Sequence, residues 1–98
     1  MAMKPIKKLL IRHDQMDDGY SELAVAIDES GSITLEGVDA GEEVRRVFGD
    51  WDYEYWLTVA PEYRESVLLH LVKDRFSSVH EVQKWLEERG IPFDFMSF

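Results

Sequence analysis

Three acids at alternate positions, Asp50, Asp52 and Glu54, stand in the segment GDWDYEYWLTV (residues 49–59), and their type and spacing could do chemistry. On an extended strand, residues two apart share a face at roughly 7 Å. The carboxylates would then form a row able to hold Mg²⁺ or Ca²⁺ through oxygen ligands. The same row is also what the solvated outer face of an antiparallel strand looks like. A calcium hand would need a glycine and a distal glutamate within a twelve-residue loop, and that spacing is missing. Trp56 falls on the acidic face, and a large aromatic among exposed carboxylates is a good anchor for a protein partner. Trp51, Tyr53 and Tyr55 alternate to the other face, where a core would take them.

Other chemistries find less to work with. His13, His70 and His80 lie on separate segments with no H-x-x-x-H spacing, so a zinc site would have to be assembled by tertiary contact. His70 and Asp74 sit four apart on a helical pattern, a pair that ordinarily only hydrogen-bonds on a helix surface. There is no G-x-S-x-G, no S-x-x-K and no glycine-rich loop leading to a lysine. No cysteine is present, which excludes disulfides, thiol catalysis and Cys-ligated metals. No cofactor is expected.

The net charge of −9 is unevenly distributed. Residues 1–13 hold Lys4, Lys7, Lys8 and Arg12 and no acid, whereas Asp14 to Glu54 hold 13 acids against Arg45 and Arg46. Nucleic-acid affinity comes mainly from Lys and Arg displacing counterions, so a nucleic-acid partner is not expected. A basic protein would be attracted. The basic first strand should pair with the chain's own carboxylates. No apolar run is long enough to span a bilayer, and "LLI" near the N-terminus is too short for a signal peptide, so a soluble cytoplasmic protein without membrane contact is expected.

These residues need a scaffold, and 98 residues at 45% hydrophobic content predict one domain over 1–98. "IKKLLIRH" alternates as a strand, with Leu9 and Ile11 on one side and Lys8, Leu10 and Arg12 on the other. Leu23, Val25 and Ile27 mark a second strand, Gly31 a hairpin loop, and Ile33 and Leu35 a third strand. Asp39 and Glu42 resemble a capping box for a short helix with Val44, Val47 and Phe48 on its apolar stripe, closed by Gly49. The strand from Asp50 to Val59 follows. Pro61 then opens a helix with Val67, Leu68, Leu71 and Val72 at helical spacing. Ser78 and Glu81 form a capping box for another helix that Gly90 ends. "IPFDFMSF" reads as a last strand, inserted in the sheet or covered by a partner because so apolar an edge would aggregate. The expected fold is α+β, a mostly antiparallel sheet of four to five strands with helices on one face, in the order β-β-β-α-β-α-α-β.

The segments GDWDYEYWLTV, LLHLVKDRFSS and WLEERGIPFDFMSF together resemble an uncharacterised family of small bacterial proteins. That family carries a Gly-Asp-x-Asp-Tyr-Glu-Tyr-Trp strand and ends on Gly-Ile-Pro-aromatic-x-aromatic. The resemblance runs from about Ser32 to Phe98 and implies a discrete bacterial domain, with no activity, cofactor or catalytic residue attached.

The leading expectation is a small acidic binding module, of an inhibitor or immunity type, for a basic protein. Asp50, Asp52, Glu54, Trp56, Asp14, Asp17 and Asp18 would form its contact surface. The alternatives are a metal-dependent enzyme using Asp50, Asp52 and Glu54, and a homo-oligomeric structural protein joined through the terminal strand by Phe93, Phe95 and Phe98.

Overall fold

The computed structural model describes residues 3–98. They fall into a sheet unit, Ile6–Arg64, and a helical unit of residues 3–5 and 65–98. The elements belong to the α+β class, with four antiparallel strands and three helices in the order β-β-β-α-β-α-α.

In the sheet unit, strands β1 (Lys8–Met16), β2 (Gly19–Ile27), β3 (Ile33–Gly41) and β4 (Asp52–Val59) are neighbours in chain order. Asp17 and Asp18 turn β1 into β2, since Met16 pairs directly with Gly19. The β2–β3 loop is closed by side chains. Asp28 accepts from the Ser30 hydroxyl at 2.7 Å and from the Ser32 N–H at 2.9 Å, and Gly31 takes a φ of 88° that other residues rarely adopt. The Arg64 guanidinium donates to the Gly31 carbonyl at 3.2 Å, tying the end of this unit to the loop.

Directly opposed residues share a face, so the register fixes both surfaces. Leu23, Val25 and Ile27 line up with Gly37, Leu35 and Ile33, and these with Tyr55, Leu57 and Val59. This is the apolar face. The other face bears Glu22, Ala24 and Ala26, then Thr34, Glu36 and Val38, then Asp52, Glu54, Trp56 and Thr58.

Three features depart from the sequence reading. First, a β-bulge between Leu10 and Arg12 sets Arg12 opposite Leu23, so Arg12 joins Leu9 on the apolar face instead of Leu10 on the other. Second, β3 runs on to Gly41, and Asp39 stays in the ladder, accepting from the Ser21 hydroxyl at 2.6 Å. Helix α1 (Glu42–Phe48) therefore begins on Gly41 with no side-chain cap, although Gly49 closes it as expected with its N–H on the Arg45 carbonyl at 2.8 Å. Third, the apolar face is only half-buried at its centre, at Leu23, Val25 and Leu35, and exposed over much of its edge strands. Helix α1 packs on β3 and β4, with Phe48 stacked on Tyr53 at 4.6 Å. Leu9 is still 56% exposed and Leu57 59%.

A 3-10 turn over Pro61–Tyr63 leads into α2 (Arg64–Arg75), which belongs to the helical unit from Glu65 onward, as does α3 (Val79–Glu88). Ser78 caps α3, its hydroxyl accepting the Glu81 N–H at 3.2 Å. The return bond reaches one residue further back than a capping box does: Glu81 accepts from the N–H and hydroxyl of Ser77, at 3.1 and 2.8 Å. At the other end, the Gly90 N–H donates to the Glu87 carbonyl and the Ile91 N–H to the Leu86 carbonyl, with Gly90 at φ 67°. That is a Schellman closure.

No strand forms over residues 91–98. The expected last strand is thus absent, for a simple reason. An alternating apolar run becomes a strand only beside another strand, and the unit that holds this segment contains none. Its one recorded ring contact is His80 with Phe95, at 6.4 Å between centroids.

Candidate partner-binding site

Strand β4 positions the candidate site. The Gly41 N–H donates to the Trp51 carbonyl at 2.8 Å, in the same register as the β3–β4 ladder. Hydrogen-bonded pairs alternate along an antiparallel ladder, so the odd-numbered residues Tyr53, Tyr55, Leu57 and Val59 face β3 with their backbone groups. Asp52, Glu54, Trp56 and Thr58 turn theirs to the open edge. Because β4 is the last strand of the sheet, those groups have no neighbour in the ladder.

The side chains of the same four residues stand on one face. Trp56 lies opposite Glu36, and Glu54 opposite Val38. Beyond Glu36 the face dips into a hollow of about 270 Å³ lined by Lys8, Leu10, Glu22, Ala24, Glu36 and Val38. Lys8 offsets Glu36 at 3.6 Å, and His13 lies 3.4 Å from Glu22. No recorded ion pair among the described residues includes Asp50, Asp52 or Glu54. Trp56 is 63% exposed beside them.

The structure brings Asp52, Glu54 and Trp56 together. Asp50 lies outside the strand, in the bend before it. Asp14 sits on the opposite edge strand, on the apolar face, and is paired with Arg12 at 3.6 Å. Asp17 and Asp18 form the β1–β2 turn, where the Asp18 carbonyl accepts the Glu42 N–H at 3.2 Å. Phe93, Phe95 and Phe98 are exposed on the terminal segment of the helical unit. No group of three or more His, Asp or Glu among the described residues is arranged to hold a metal ion.

A feature the sequence reading missed lies in the helical unit. Leu68, Leu71 and Val72 of α2 and Val82, Trp85 and Leu86 of α3 line an open groove of about 510 Å³. Phe76 meets Trp85 edge-on at 6.0 Å, and Arg89 lies over the Trp85 ring at 4.0 Å. The stripe was visible as periodicity, but periodicity does not tell a covered stripe from an open one.

No protein family, curated protein or solved structure matches the chain. No helix among the described residues is long and apolar enough to cross a membrane.

Proposed function

We propose that the chain is a small acidic binding module for a basic protein, of the inhibitor or immunity type, contacting it through Asp52, Glu54 and Trp56. The observation behind this reading is the exposure of Trp56 beside Asp52 and Glu54, carboxylates that no ion pair among the described residues includes. An exposed indole supplies apolar contact area, and uncompensated acids beside it supply attraction and orientation for Lys or Arg. The mechanism is occlusion: the module covers a basic surface and needs no bond-making step.

Affinity capture from a lysate of the source organism at low and high salt tests the reading. One stoichiometric basic protein released by salt is the expected result. The reading is abandoned if that protein binds Asp52→Lys/Glu54→Lys as tightly as the wild type.

A further inference from the structure

We infer that two copies of the chain join through their β4 edges, antiparallel about a two-fold axis beside Tyr55, into one continuous sheet. The outward groups of β4 belong to Asp52, Glu54, Trp56 and Thr58, a set symmetric about Tyr55. A second copy turned about that point sets Asp52 against the partner's Thr58 and Glu54 against the partner's Trp56. All four outward residues then find hydrogen-bonding counterparts.

The side chains select the same register. On the acidic face each carboxylate meets a neutral residue. On the other face Tyr55 falls opposite the partner's Tyr55, and Tyr53 opposite the partner's Leu57, so no like charges are opposed there. Moving the axis one residue toward the N-terminus would place Glu54 opposite the partner's Glu54, a like-charge pair that destabilises. Moving it one residue the other way carries Asp52 past the end of the partner strand. The acids of β4 all lie in its first half, and this makes the edge complementary to itself when antiparallel.

The other edge of the sheet contrasts with it. β1 has the bulge after Leu10 and exposed Lys8 and Arg12, devices that keep an edge from pairing. β4 has an unbroken register with β3 and no proline. One edge is guarded and the other is open, so pairing closes at two copies.

The test uses the full chain. Sedimentation equilibrium should give twice the chain mass. Trp56→Pro should return one chain mass with unchanged far-UV circular dichroism, because the N–H it removes points away from β3. The chain has no cysteine, so Tyr55→Cys isolates the axis. Opposed residues there have Cβ atoms about 5 Å apart, close to disulfide reach. Oxidation should link Tyr55→Cys chains in pairs and leave Leu9→Cys chains unlinked. A wild-type monomer at the highest soluble concentration overturns the inference, as does a species larger than two. A dimer that survives Trp56→Pro and forms no link through position 55 overturns it as well. If Trp56→Pro unfolds the chain, the comparison of Tyr55→Cys with Leu9→Cys decides.

Discussion

The ring of Tyr55 lies across the backbone of Gly37, its opposite number on β3, in the space that a β-carbon there would fill. The glycine leaves an opening in the apolar face and the tyrosine closes it. Gly37→Ala must push the ring away, and overpacking of this kind costs about 1–3 kcal/mol. We expect a lower melting temperature for Gly37→Ala. In a Tyr55→Ala background, which removes the obstruction, the same change should cost much less. Equal costs in both backgrounds would show that the ring is not what Gly37 accommodates.

The ends of α3 give a second prediction. Ser78→Ala removes the side chain that receives the Glu81 N–H, worth ~1 kcal/mol at a helix start. Gly90→Ala forces a β-carbon into left-handed backbone, at a cost of about 1–2 kcal/mol. The two sites lie at opposite ends of the helix and share no partner, so the losses should add in the double variant. Thermal melts followed at 222 nm would check both, and a clearly non-additive double variant would mean the two ends do not act independently.

Gly31, Gly49, Gly90 and Ser78 were readable in the sequence because each answers a local need, for left-handed backbone or for a cap. The faces of β4 were readable because alternation is a property of the strand alone. The bulge after Leu10 was not, since an extra residue shows only against a partner strand. Asp39 was misread for a related reason: Asp39 and Glu42 have the spacing of a cap, but the ladder with β2 keeps Asp39 in the strand. The terminal segment has a strand pattern without a strand beside it. Of the candidate site, the Asp52, Glu54 and Trp56 alignment was legible. Asp14 was drawn into that surface by charge count, which is blind to edge and face.

Two carboxyls make stability depend on pH in a fixed direction. Hydrogen bonds from the Ser77 N–H, then its hydroxyl, hold Glu81 below the ordinary glutamate value of 4.5. The Ser30 hydroxyl, then the Ser32 N–H, hold Asp28 below 3.8. A carboxyl depressed by folding stabilises the folded state above its unfolded value, and the contribution fades as pH falls through the folded value. Stability should therefore drop below pH 4.5, and less so in Glu81→Gln or Asp28→Asn, whose side chains do not ionise. Parallel pH–stability curves for these variants and the wild type would refute the assignment.

The proposed acidic contact has an electrostatic signature that separates it from pairing between copies. Contacts between Asp52, Glu54 and the Lys or Arg of a partner form at an exposed face, where added salt screens attraction over about 8 Å at physiological ionic strength. Reversing one such charge turns attraction into repulsion, a change of about 2 kcal/mol at contact in water-like surroundings. Asp52→Lys/Glu54→Lys should thus weaken binding by more than an order of magnitude at low salt and by less at high salt. Trp56→Ala should weaken it nearly equally at both, because the indole contributes apolar area rather than charge. Pairing of two chains that are each at −9 should respond in the opposite sense, tightening as salt screens their repulsion. A basic partner whose affinity is indifferent to salt would place the contact elsewhere on the chain, away from the acidic face of β4.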